Sequence, residues 1–132
     1  MVANQLTKLD SRRRQLRMSL AALSRRSGLS VPTLNRILSG QANPTLETLG
    51  TLATALGVEL RISKDGVEVK ELLSPNGFRE FIAKEKASNL VRMVQGTSAL
   101  ESQAVGKTDI KNMVDQTIHE LLAGTPRRLW SQ

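Results

Sequence analysis

Apolar residues return every three to four positions through the first 57 residues, and this spacing predicts four short helices. Leu6, Leu9, Arg13, Leu16 and Arg17 place a first helix over residues 4–18. Ser19 is suited to cap a second helix, residues 20–27, in which Leu20, Leu23 and Ser24 share a face. Gly28 suits the left-handed residue that ends it. Ser30 caps a third helix whose first turn holds Pro32, where the missing N–H does no harm. Leu34, Ile37 and Leu38 form its inner stripe. Residues 39–44, Ser-Gly-Gln-Ala-Asn-Pro, read as a loop. Thr45 caps a fourth helix with Leu46, Leu49, Leu52, Ala53 and Leu56 inside, closed by Gly57.

The period then drops to two. Val58, Leu60 and Ile62 alternate with Glu59, Arg61 and Ser63, and Val67 and Val69 alternate with Glu68 and Lys70. Lys64-Asp65-Gly66 lies between them, and Asp-Gly between alternating runs predicts a hairpin. A lone hairpin is marginal in water, so it must lie on the helices, pair with a second chain, or both.

Helical spacing resumes at Ser74-Pro75-Asn76-Gly77. Phe78, Phe81, Ile82, Leu90, Val91 and Val94 are expected on one side, with Gly96 as the stop and a short helix over 97–105 beyond it. Thr108 is expected to cap a last helix striped by Ile110, Met113, Val114, Ile118, Leu121 and Leu122. Gly124 ends it, and Pro126 prevents continuation. The tail Arg127-Arg128-Leu129-Trp130 follows.

Charge adds a direction to this pattern. The chain carries +7, and residues 1–57 hold most of the excess. Lys8, Arg12, Arg13, Arg14, Arg17, Arg25, Arg26 and Arg36 stand there against only Asp10 and Glu47. An anionic partner for that segment is the physical expectation. A solvated basic helix face is the plainer reading of Arg12–Arg14 alone.

Residues 19–39 read as helix, glycine-containing turn, helix. The ordered set Leu20-Ala21-Ala22-Leu23-Ser24-Arg25-Arg26-Ser27-Gly28-Leu29-Ser30, Thr33-Leu34-Asn35-Arg36-Ile37-Leu38-Ser39-Gly40, Asn43-Pro44-Thr45-Leu46-Glu47-Thr48-Leu49 and Ala55-Leu56-Gly57-Val58 resembles the Xre family of Cro- and lambda-repressor-like helix-turn-helix proteins. The resemblance covers about residues 5–58. It implies a four- to five-helix lambda-repressor-like DNA-binding domain over 1–57; with the alternation and helical spacing beyond it, the chain is expected to be mainly α, with a short β-hairpin over 58–72 and a helical extension over 73–132 for a partner or for dimerisation.

It also implies a double-stranded DNA operator as partner. The third helix would enter the major groove, with Ser30, Val31, Pro32 and Thr33 nearest the base edges and Asn35 and Arg36 one turn on. Arg36 can bond guanine through two hydrogens, and Asn35 can do the same for adenine. A phosphate contact or a solvated arginine is the alternative for Arg36. Phosphate contacts would come from Ser19, Leu20, Ser39, Gly40, Gln41 and Asn43. Two positions depart from the family, which often has Gln at Leu20 and Glu at Leu38.

The second half offers other chemistry. Two amphipathic helices with Phe78, Phe81, Leu90, Val94, Leu129 and Trp130 are expected to offer a partner-binding surface; internal core or a dimer surface is the alternative for the helix stripes, and a frayed tail for Leu129 and Trp130. The architecture resembles the antitoxin of a type II toxin–antitoxin pair. That implies an autoregulating repressor, homodimeric on its operator, whose C-terminal half neutralises a cognate toxin. The alternative is a free-standing Xre-type regulator whose C-terminal half only dimerises or senses a ligand. No cofactor or metal is expected, and an enzyme is disfavoured because there is no Cys or Tyr and only His119 for proton transfer. His119 sits beside its helix stripe and is expected in solvent. Met1-Val2-Ala3-Asn4-Gln5 lacks the layout of a signal peptide, and no apolar run approaches a membrane span, so a cytoplasmic location is expected.

Overall fold

The computed structural model describes residues 2–99 and 107–131. Helices α1 (Val2–Gln15), α2 (Leu20–Ser27), α3 (Val31–Leu38) and α4 (Leu46–Leu56) come first. A hairpin of β1 (Val58–Ser63) and β2 (Gly66–Glu71) follows. Helices α5 (Pro75–Ala99), α6 (Lys107–Ala123) and α7 (Pro126–Trp130) complete the described chain. Two compact units result: residues 1–76 with 130–132, and residues 77–129.

The caps expected in the first unit form. Ser19 accepts from the amide of Ala22, Ser30 from Thr33 and Thr45 from Thr48. Each satisfies a helix-start N–H that has no partner inside its helix. Gly28 takes φ 79° and ends α2 by donating its N–H to the Ser24 carbonyl. A side chain there would be strained, so this turn requires glycine. The first helix is shorter than its periodicity predicts. It ends at Gln15 because Arg17 turns left-handed at φ 55°, and Met18 N–H reaches back to Arg13 O at 3.1 Å. Leu9, Leu16, Met18, Leu23, Leu34, Leu52 and Leu56 fill a fully buried aliphatic core. Burying each such side chain contributes about 1.5–3 kcal/mol.

The hairpin is antiparallel, with Leu60 opposite Val69 and Ile62 opposite Val67. Its two-residue loop is Lys64-Asp65, since Gly66 already pairs with Ser63. The same register puts Glu71 opposite Val58, on the apolar face rather than the polar one. There Glu71 meets Arg12, whose Nη1 lies 3.3 Å from Oε1.

In the second unit, Phe78, Ile82, Ala83 and Ala87 make the buried stripe of α5. Helical rotation carries Phe81 to the opposite side from Ala83 and Ala87, and it is exposed. The expected single face therefore divides. Gly96 does not stop α5, which continues to Ala99. A glycine inside a helix costs only about 1 kcal/mol, which a helix this long can absorb. The rest of the expected 97–105 helix, and the side chains of Val91, Val94 and Thr108, lie outside the described residues. Helix α6 buries Leu121, and Arg79 Nη2 donates to Leu122 O at 3.5 Å. Lys86 Nζ donates to the carbonyls of Arg128 and Leu129, both at 3.0 Å, at the end of α7. No helix among the described residues is long and apolar enough to cross a membrane.

Candidate nucleic-acid interface

Helix α3 is sharply two-sided. Leu34 and Ile37 are buried, while Pro32, Asn35, Arg36 and Ser39 form an exposed stripe at positions i, i+3, i+4 and i+7. Val31 and Thr33 flank it, half-buried. The first turn is held from within. Ser30 Oγ accepts from Thr33 N–H at 3.3 Å and donates to Thr33 Oγ1 at 2.8 Å. Thr33 Oγ1 keeps its own hydrogen to give. The last turn is held by the Arg36 carbonyl, which accepts from Gln41 N–H at 2.8 Å and Ala42 N–H at 3.2 Å. Ser39 Oγ donates to the same carbonyl at 3.3 Å. A backbone fixed at both ends presents the stripe as one rigid edge.

The side chains of Asn35 and Arg36 take no hydrogen bond from any described residue and are exposed. Arg36 thus offers a planar five-donor fork, and Asn35 beside it offers both a donor and an acceptor. That pairing can read base edges or grip phosphates. Ser19, Gln41 and Asn43 are exposed as well. Ser19 Oγ accepts the Ala22 N–H in the α2 cap and retains its hydroxyl hydrogen for an anion. Leu20 and Leu38, the two departures from the family, are half-buried.

The arginines divide into two groups. Arg12 is buried: Nε donates to Leu56 O at 2.9 Å and Nη2 to Gly57 O at 3.4 Å. Burial lowers its pKa, and Glu71 pulls it partly back. Arg13 bonds Asp10 at 3.0 Å and Met18 O at 2.9 Å, and Arg14 pairs with Asp10 at 3.1 Å. Arg26 Nε donates to Ala55 O at 3.1 Å, and its guanidinium lies 5.2 Å from the centre of the Trp130 ring. Lys8, Arg17, Arg25 and Arg36 remain exposed and uncommitted among the described residues. The basic excess of the first 57 residues is therefore partly structural. The arginine run at 12–14 is a set of internal ties more than a phosphate clamp. Arg25 carries no sequence signal that separates it from its neighbour Arg26; only the fold does.

Of the residues expected to face a protein partner, some are buried and some exposed, and the side chain of Val94 lies outside the described residues. Phe78, Leu129 and Trp130 are buried within the chain, with Leu129 at 0% and Trp130 at 2% exposure. Trp130 Nε1–H donates to Leu16 O at 3.0 Å, so the indole's polar edge is satisfied inside the first unit. Phe81 and Leu90 are exposed. Phe81 borders a shallow groove with Lys84, Glu85, Ser88, Asn89 and Arg92. His119 is exposed, and no group of three His, Asp or Glu among the described residues could hold a metal ion.

A model of the helix-turn-helix family matches residues 9–62, from the middle of α1 into β1. The chain therefore carries a helix-turn-helix domain of the Xre, lambda-repressor-like kind over those residues. No curated protein matches the chain, and no solved structure does.

Proposed function

We propose that this protein is a sequence-specific DNA-binding transcriptional repressor, acting as a homodimer on a pseudo-palindromic operator. The observation that carries the reading is the outward stripe of α3. Asn35 and Arg36 stand side by side, with no side-chain partner among the described residues, on the second helix of a helix-turn-helix. In this geometry the second helix enters the major groove, and its exposed side chains meet the base edges. Val31, Pro32 and Thr33 precede them, positioned for apolar contact with a thymine methyl and one hydroxyl bond. Ser19, Ser39, Gln41 and Asn43 then hold phosphates on either side, helped by the free N–H groups at the start of α2. Repression is steric: the occupied operator excludes polymerase. Selection of bound duplexes from a random library tests this reading. Enrichment of one half-sequence is expected, and equal recovery of all sequences contradicts it.

A second reading, favoured by Phe81 and Leu90 standing exposed on α5, adds a protein partner to the second unit. It makes the protein an autoregulating antitoxin. Co-expression with the adjacent open reading frame tests it. A stable complex is expected, and its absence leaves the free-standing regulator.

A further inference from the structure

Among the described residues β1 pairs with β2 alone, so each strand keeps one open edge. The hairpin closes on the pair Ser63–Gly66. From there the antiparallel alternation places the N–H and C=O groups of Ser63, Arg61 and Glu59 in the ladder to β2. Those of Ile62, Leu60 and Val58 point out of the β1 edge. Such an edge is a template for another strand.

We propose that the β1 edge pairs with the β1 edge of a second copy of this chain, antiparallel about a two-fold axis at Leu60, giving a continuous four-stranded sheet. The inference deepens the dimer assumed above by naming its surface. Three features of β1 converge on this register. The outward backbone groups match themselves: Leu60 faces Leu60 of the second copy, and Val58 faces Ile62. On the apolar face this covers Ile62, now 63% exposed. On the polar face it sets Glu59 against Arg61 of the second copy, twice over.

The in-chain register extends the match. Glu59 already stands opposite Lys70, and Arg61 opposite Glu68. Across the four strands each polar row then runs Lys70, Glu59, Arg61 of the second copy, Glu68 of the second copy, with the charge alternating at every step. Opposite-charge neighbours of this kind stabilise a sheet, and like charges directly opposite destabilise it. A two-stranded hairpin lacks independent stability, whereas a sheet of three or more strands can have it. The β2 edge is the poorer candidate. Two-fold pairing at Val69 sets the Glu71 carboxylate against Val67, and Glu71 is already held by Arg12.

Sedimentation equilibrium of the full chain without DNA, up to about 100 µM, tests the proposal. The wild type is expected to be a dimer. The double variants E59R/K70E and R61E/E68K keep opposite charges across the hairpin, lose the 3.7 Å contact between Arg61 and Glu59 within β1, and set like charges across the two-fold axis; an equimolar mixture still lacks the in-strand contact, so its recovery reports the two-fold pairing alone. Each alone is expected to self-associate at least about tenfold more weakly, and an equimolar mixture to recover wild-type association. L60P removes an outward N–H from β1 and is expected to give a monomer, while V69P does the same on β2 and is expected to leave the dimer. A monomeric wild type, double variants that associate like the wild type, or dimer loss in V69P but not in L60P overturns the proposal. The readout is independent of DNA. A monomer that still selects a duplex sequence overturns the sheet alone, and a dimer that selects none overturns the DNA reading alone.

Discussion

Arg12 donates its Nε hydrogen to the carbonyl of Leu56, 2.9 Å away, and so ties the first helix to the last turn of α4. Arg26 holds the neighbouring Ala55 carbonyl from α2 at 3.1 Å. The last carbonyls of a helix have no partner within it and carry its partial negative charge. Two arginines from two other helices answer that need. They fix α4, and with it the core on which α2 and α3 rest.

Replacing Arg12 by Met should therefore destabilise the first unit by about 1.5–3 kcal/mol, the range for a hydrogen bond involving a charged group. Arg14→Ala removes an exposed ion pair and should change stability by no more than about 0.5 kcal/mol. Denaturant midpoints of the two variants check the contrast. Equal midpoints would mean that Arg12 is a surface charge like its neighbour.

Trp130 is the only tryptophan, so its fluorescence reports the first unit without labelling. Its burial predicts emission that is blue-shifted and poorly quenched by acrylamide, moving red on unfolding. Trp130→Ala should cost about 3–5 kcal/mol. Trp130→Phe keeps much of the volume, loses the bond to Leu16 O and should cost less. Red, freely quenched emission in the native protein would show the indole to be in water.

Much of the first unit was legible in the sequence because its signals are local. Ser19, Ser30 and Thr45 each cap within three residues, and Gly28 and Gly57 each terminate a helix where expected. The stripe of α3 follows from Leu34 and Ile37 alone. What the sequence hid are contacts between distant residues. Arg12 and Glu71 are 59 positions apart, and Trp130 meets Leu16 across 114. An arginine that ties a carbonyl and one that waits for a phosphate look the same in composition, so the charge excess overstated the free positive surface. The second unit was less legible because Phe78 and Phe81 lie one turn apart on neighbouring positions of α5, yet Phe78 is buried and Phe81 exposed, a difference set by what packs against the helix and not by its periodicity.

DNA affinity should fall steeply with salt. If about six phosphates are neutralised, the loss between 50 and 200 mM salt is about 10³-fold. Among the described residues of the first 57, Lys8, Arg17, Arg25 and Arg36 are the uncommitted cations that can supply part of it, so Arg17→Ala and Arg25→Ala should each flatten the slope. Arg12→Met should leave the slope unchanged, since its charge is buried and internally bonded. A slope that responds to Arg12 and not to Arg17 or Arg25 would reverse this division.

If α3 reads bases through its exposed stripe, Arg36→Ala must change which bases the protein prefers. Binding of the variant is measured against the selected duplex and against all single-base changes of it. The denaturant midpoint is expected to stay unchanged, with a loss of about 1–3 kcal/mol of discrimination confined to one base pair of each half-site. A variant that weakens on every duplex by the same factor, with its sequence preference intact, would contradict it.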